Sequence, residues 1–494
     1  MTVARERQNR IEADVVIVGA GPVGLALASR LADTGRRVAV LDSGGPIPAP
    51  DHDLGTGTID GHIPYFDLAE CRPRGLGGST GLWGGWCEEL DEIDFEPRPE
   101  LVDDRIATGW CLTRKDLDPY YRDARAFCGI PDVVPARDWL RAGEVCVRDC
   151  PFELRSFPVL GPRRPGYRGW DPCADERVDL LLGATVTRVV TTDRGDAVDH
   201  LLVRTADHEL VVTGRAVVLA VGGIETARLL LSSSSAAWPT GIGNGNDLVG
   251  RCFMEHPHID AVRLHGDPAA LDIEFFLERV GGVTVDGERM ATAGALVLSA
   301  AASRAAGVGR IQLFIEMAGD HAKHPLPRLR NGRRVSARYA APGPRELAVI
   351  SSTEQVPNRD SRITLSSDVD RYGVPLPILN WRLTRTDHRT AMFGIEAAGR
   401  LLRELGATNV RRRLPRDRWP LDTLGGPHHL GTARMADSPA DGVVDGDCRV
   451  HGVTNLYITG GAVFPRSGYA PPTLTMIALA LRLGDHLSPA PAGR

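Results

Sequence analysis

Lysine is almost missing from this chain. Lys115 and Lys323 are its two lysines, and the other 56 of its 58 basic residues are arginine. That bias is what GC-rich codon usage produces, and it carries no functional message. Aromatic residues make up only 5%, which disfavours a pocket for a large flat apolar substrate such as a sterol. The formal net charge is −5, so the electrostatic footprint of a nucleic-acid binder is lacking. No apolar run reaches the roughly 18 residues of a membrane-spanning helix. The stretch Val15–Ala28 is apolar enough for a secretory leader core, but it follows Glu12 and Asp14 directly and is interrupted by patterned glycines. The nine cysteines are odd in number and scattered, with no CxxC pair, so neither a disulfide framework nor a zinc site is indicated. Reduced thiols in a cytoplasmic protein are expected. No His/Asp/Glu grouping has metal-ligand spacing, so no metal is expected.

What is present is ordinary globular material. The 494 residues are 43% hydrophobic and 24% charged, enough for about three domain-sized units with a core that needs no covalent staples. Residues 1–13 are charged and read as a loose tail. Asp14–Gly19 is a short β-branched run and reads as a buried parallel strand. Val23–Thr34 has helical spacing, and Arg37–Asp42 is a second buried strand, completing one βαβ unit. Residues 45–80 read as loop, and a helix opens near Thr113. Residues 129–175 read as irregular, 176–222 as short strands ending in Ala216–Val221, and Glu225–Ser232 as a helix. Further strands are expected at Ile259–Leu264, Ala293–Leu298, Arg310–Glu316 and within 362–382, with a long helix over Thr386–Leu405. Residues 320–346 are basic and proline-rich and read as a lid or a mobile linker. Residues 406–425 read as loop, and a strand, a loop and an amphipathic helix close the chain between Leu456 and Leu487.

Gly19-Ala20-Gly21-Pro22-Val23-Gly24 matches GxGxxG between a buried strand and a helix, the context a dinucleotide fingerprint requires. The first glycine permits the tight turn, the second lets backbone approach a pyrophosphate, and the third lets helix and strand pack closely. Pro22 opens the helix, whose N-terminal N–H groups favour phosphate. Asp42 follows Gly24 by 18 residues and suits ribose hydroxyls, with Ser43 beside it. A second small-residue turn, with Gly223 and Glu225, suggests another close approach to the same cofactor. This fingerprint alone does not separate NAD from FAD.

Four segments decide that. They are the N-terminal fingerprint; Arg74-Gly75-Leu76-Gly77-Gly78-Ser79-Thr80-Gly81-Leu82-Trp83-Gly84-Gly85; Ala220–Leu231 with Gly250–Pro257; and the C-terminal block. That block holds His428-His429-Leu430-Gly431-Thr432, Gly460-Gly461-Ala462-Val463-Phe464-Pro465 and Pro472-Thr473-Leu474-Thr475. In order and spacing the chain resembles the glucose–methanol–choline (GMC) family of FAD-dependent oxidoreductases. Thr108-Gly109-Trp110 and Asp118-Pro119-Tyr120-Tyr121 narrow the resemblance to its bacterial sugar-oxidising branch. The resemblance implies an α/β fold. A discontinuous Rossmann-type FAD domain would use 10–130, 176–255 and 421–494. A sheet-based α+β substrate domain would use 131–175 and 256–420.

It also implies hydride transfer from an alcohol to flavin N5, with a base for the hydroxyl proton. His428 occupies the family's histidine position, and its neighbour His429 is a secondary candidate. A second polar residue, His or Asn, usually precedes Pro-Thr-Leu-Thr; here it is Pro471, which has no donor. His429, Tyr469 and Ser467 are candidates to supply the missing contact. The resemblance assigns FAD contacts to the glycine motif, Asp42, Ser43, Arg74, Gly77, Gly78, Ser79, Trp83, Gly84, Gly223, Glu225, Gly461, Pro472 and Thr473. His256, Glu354 and Tyr469 are assigned to the substrate. Some relatives bond flavin to a histidine where this chain has Leu82, so FAD is expected to be non-covalent, with Cys87 an improbable attachment point. The substrate implied is a sugar-type alcohol, specifically an aminoglycoside precursor oxidised at its C6′ primary hydroxyl to the aldehyde, or further to the acid. Its pocket should then be acidic, with Glu255, Glu274, Glu316, Asp320 and Glu354 available in sequence. A glucoside or pyranose ring-hydroxyl oxidoreductase is the same-class alternative. A non-redox flavoprotein, lyase, isomerase or binding module, is the alternative of another class.

Overall fold

The computed structural model describes residues 9–61, 63–102, 106–130, 150–160, 171–267, 279–285, 288–317, 345–420 and 422–488. A short β-branched strand, Arg10–Val18, forms the centre of a seven-stranded sheet. It pairs in parallel with Val38–Asp42 on one side and Glu209–Leu219 on the other. Val178–Leu182 extends the first side. Leu456–Ile458 pairs in parallel with the end of Glu209–Leu219, whose beginning carries the antiparallel hairpin of Thr185–Thr191 and Val198–Arg204. Parallel strands need helical cover. It comes from Pro22–Asp33, Gly222–Ser232 and the C-terminal helix Thr473–Leu487, whose apolar faces are buried.

The expected charged tail is shorter than its composition implies. The strand starts at Arg10, where residues 10–13 already pair with Val211–Gly214 and the charged side chains lie toward solvent.

A second seven-stranded sheet is antiparallel and contains Phe152–Val159, His258–Gly266, Arg279–Val285, Glu288–Leu298, Ile311–Met317, Arg345–Thr353 and Thr408–Arg412. Two of these strands fall in stretches expected to be irregular. Phe152–Val159 is held as a strand by its pairing with Ala291–Leu298. Thr408–Arg412 is arginine-rich because it is an exposed edge, where charge blocks further pairing. The long helix Arg385–Glu404 covers one face. Its Thr384 cap accepts from the Asp387 backbone N–H, and Gly394 lets it approach closely; a Cβ there would sit 2.6 Å from Ile311. A three-stranded sheet of Arg362–Val369, Pro375–Asn380 and Thr58–Ile59 completes the described fold.

The expected lid, 320–346, falls mostly on residues 318–344, outside the described residues; Arg345 and Glu346 open a strand. No helix among the described residues is long and apolar enough to cross a membrane.

Candidate active site

The βαβ turn makes one end of a cavity of about 590 Å³. Gly19 adopts φ 109°, which a side chain would strain. A Cβ on Gly24 would lie 2.0 Å from Gly19 O, so the third glycine serves packing and does not itself line the cavity. Gly21 has nothing within 4 Å of a Cβ position and stands at the helix N-terminus with no side-chain cap. Those free N–H groups face open space, as an anion site requires. Asp42 is held by the Ala20 and Gly44 N–H groups at 2.8 Å each, and it lines the cavity beside Ser43. Arg72 and Arg74 share Glu225 Oε2 at 3.1 and 2.9 Å, and Arg74 also donates to Ser43 Oγ. Burial alone would raise the Glu225 carboxyl, but Arg74, Arg228 and Arg72 hold it down at about 2.

The other end belongs to the loop before His428. Glu255 lies fully buried beneath it and accepts backbone N–H bonds from Gly426 at 2.9 Å, His428 at 3.0 Å and His429 at 3.3 Å. Tyr65 donates its hydroxyl to the same carboxylate. Burial pushes the Glu255 carboxyl upward, and these donors oppose the shift. The next residue, His256, places Nδ1 2.5 Å from His428 Nδ1 and Nε2 2.9 Å from Gly468 O. His428, His429 and His258 line the cavity. Burial, then the neighbouring His256, His258 and His429, push the His428 imidazole well below its ordinary value.

Opposite this loop stands the strand Ile311–Met317. Its Gln312, Phe314, Ile315 and Glu316 line the cavity, while Ile311 and Leu313 pack in the core of the second sheet, which Ile315 also joins. Trp86 meets Phe314 edge-on at 4.6 Å. Gln312, Phe314, Ile350, Trp86 and Arg72 were not singled out from sequence. Strand alternation could show which residues share a face, but not which face meets the cavity.

Most of the sequence-named residues do converge here. Gly19, Gly21, Pro22, Asp42, Ser43, Arg74, Gly78, Ser79, Trp83, Gly84, Gly223, Glu225, Gly461, Pro471, Pro472 and Thr473 all line the cavity. Others stand away from it. Gly77 is a turn residue whose N–H donates to Ala20 O. Glu354, named for substrate, is instead ion-paired with Arg466 at 2.5 Å in the interior. Tyr469 accepts from Arg155 at 2.9 Å and stacks under Arg310, fully buried. Ser467 is taken up by Gln355 backbone. Neither Tyr469 nor Ser467 therefore replaces a polar side chain at Pro471. His256 sits behind His428 and is not among the lining residues. Leu82 lines the cavity, whereas Cys87 is buried away from it.

Residues 357–480 match the model of the GMC oxidoreductase family, and residues 17–47 match an NAD(P)-binding Rossmann-like domain. The C-terminal quarter of the chain is thus similar to the GMC oxidoreductases. The chain is 24% identical to 2-methyl-1,2-propanediol dehydrogenase of Mycolicibacterium austroafricanum, over 97% of this chain and 95% of that protein. It is 27% identical to paromamine 6'-oxidase of Streptomyces fradiae, over 95% and 90% respectively. Its fold is similar to that of pyridoxine 4-oxidase from Mesorbium loti, with a TM-score of 0.62, 18% identity, and 96% and 98% of the two chains covered.

The protein is an FAD-dependent alcohol oxidoreductase. The cavity fits that cofactor on its own evidence. The uncapped helix N-terminus at Gly21 would suit the phosphates, and Asp42 would suit a ribose. Among the described residues, three lining groups, Trp83 Nε1, Gln312 Oε1 and Thr459 Oγ1, are buried with no partner. Buried polar atoms of that kind are ordinarily satisfied, and a ligand rich in donors and acceptors would satisfy them.

Proposed function

We propose that this enzyme oxidises a hydroxyl of a sugar-type alcohol, and that its substrate is an aminoglycoside precursor whose C6′ primary hydroxyl becomes the aldehyde. The observation that carries the reading is a single cavity joining the βαβ turn, His428 and the Gln312–Glu316 wall. The similarity to paromamine 6'-oxidase over 95% of the chain supports the choice of substrate. We also propose that the FAD domain uses 10–130, 176–255 and 421–494, that the rest forms the substrate domain, and that FAD is non-covalent, since the position at 82 is leucine.

FAD bound along Gly21, Asp42 and Trp83 supplies a hydride acceptor. His428 Nδ1 is engaged by His256, and in this reading Nε2 takes the hydroxyl proton. Gln312 offers an amide to sugar hydroxyls. Of the five acids expected near a cationic substrate, Glu255 lies under the catalytic loop and Glu354 is paired with Arg466. Glu274 and Asp320 lie outside the described residues. Glu316 lines the cavity, so it is the carboxylate that would meet a substrate ammonium.

The test is anaerobic stopped-flow reduction of the purified yellow protein by a panel of aminoglycoside precursors, glucosides, free hexoses and simple alcohols. Rapid bleaching by 6′-hydroxylated aminoglycosides alone is expected. Preferential bleaching by glucosides or hexoses would move the substrate to a ring hydroxyl, and bleaching by none of the panel would overturn sugar oxidation.

A further inference from the structure

His428 can act as a base only if its cavity-facing nitrogen is bare, and the structure shows what determines this. The carbonyl of Gly468 carries no proton, so the His256 nitrogen 2.9 Å from it, Nε2, must be a donor. His256 is fully buried, and a second proton there would be an unpaired interior charge. Burial accordingly holds its pKa down at about 4. A neutral imidazole protonated on Nε2 has a lone pair on Nδ1. That lone pair faces His428 Nδ1 at 2.5 Å. Two lone pairs cannot face each other at that distance, so the proton between them belongs to His428 Nδ1. Neutral His428 then has no proton on Nε2, its cavity-side nitrogen.

We propose that His256 is a positioning residue of the oxidation, fixing the Nδ1–H tautomer of His428 so that Nε2 is the base. The inference rests on the reading of His428 as base. In the reaction the substrate O–H bond breaks and the His428 Nε2–H bond forms, while the hydride leaves carbon for the cofactor with its electron pair. His256 neither gains nor loses a proton. Its lone pair keeps accepting from His428 Nδ1–H, which stabilises the imidazolium that forms.

Three details support this role over that of an ordinary buried histidine. Gly468, whose carbonyl sets the polarity, has φ 62°, and a Cβ there would collide with Leu90 at 2.4 Å. Glu255, the preceding residue, grips the backbone of the same loop whose ring His256 grips. The loop that presents proline at 471, without a donor, thus reaches the base through the Gly468 carbonyl and His256.

His256→Leu, assayed with FAD bound, is expected to lower the limiting rate of anaerobic flavin reduction about 10- to 10³-fold. Apparent substrate affinity should stay within about threefold. The amide of His256→Gln can donate to Gly468 O and accept from His428, so this variant should recover about tenfold of that loss. Long-range ¹H–¹⁵N spectra of the holoprotein with ¹⁵N-labelled histidine should show an Nδ1-protonated ring that disappears in His428→Ala. A His256→Leu enzyme reducing at the normal rate, equal damage in the Leu and Gln variants, or His428 protonated on Nε2 would each overturn the proposal. If the variants fail to fold, the wild-type spectrum decides it. Normal reduction in His428→Ala would instead sink the base assignment itself.

Discussion

A proposed base such as His428 must be neutral to accept a proton, and its surroundings favour the neutral form. Burial and the neighbouring imidazoles lower its pKa well below the ordinary value. A group with a depressed pKa is deprotonated above that value and loses function only as pH falls through it. The limiting rate of flavin reduction should therefore vary less than about twofold between pH 8 and 6.5, and decline only at lower pH. Stopped-flow reduction across pH 5–8.5 checks this; an acid limb centred at or above 6.5 would contradict it. His428→Ala should slow reduction about 10²- to 10⁴-fold while the absorbance of bound FAD persists. His429 differs from its neighbour. Burial, then Arg72, pushes its pKa down to about 3, and its ring is wedged among Tyr65, Phe253 and Cys71.

Two loops are packed so closely that their glycines admit no side chain. A Cβ on Gly223, in the first turn of the helix Gly222–Ser232, would lie 2.0 Å from His429 O. The helix and the catalytic loop must therefore separate if that glycine is replaced. Gly223→Ala should lower both the FAD content of the purified protein and, by at least about tenfold, its reduction rate, since displacing a catalytic group by an ångström can cost 10²-fold. Gly24→Ala places its Cβ 2.0 Å from Gly19 O in the first βαβ unit, so it should lower FAD content. Normal FAD content in both variants, read from the visible spectrum, would show that the loops yield more than a packed interior does. The glycine pattern of the first turn was legible in sequence because its turn, helix start and acid are local. The role of Gly223 against His429 was not, because the two are 206 positions apart in sequence and only folding brings them together.

Across the protein, the second sheet is tied to the C-terminal loop by buried charge. Glu354, at the end of the strand Arg345–Thr353, meets Arg466 at 2.5 Å, and both are almost wholly buried. The pair joins the second sheet to the segment that continues into Gly468 and Pro471. Removing one partner leaves the other's charge uncompensated in the interior, which costs about 3–5 kcal/mol. Glu354→Ala should lower stability in denaturant by about that amount, whereas replacing both residues with methionine should restore much of it. Equal losses in the single and double variants would show that the ion pair contributes only through packing.

Read from the chain alone, the βαβ unit, the helix capped by Thr113 and the strands flanking Ile311 were clear, because period and capping are properties of neighbouring residues. So was the neighbourhood of His428, through its motif. What could not be read there is which polar residues meet. Glu354 and Tyr469 looked like substrate contacts and are interior partners of arginines, and His256 stands behind His428 and does not line the cavity. His256 and His428 lie 172 residues apart and come within 2.5 Å because the antiparallel bridges Met254–Leu430 and His258–Leu424 flank them. Local turns follow from the conformational limits of a few adjacent residues, whereas a proton's position on an imidazole depends on a carbonyl supplied from elsewhere in the chain.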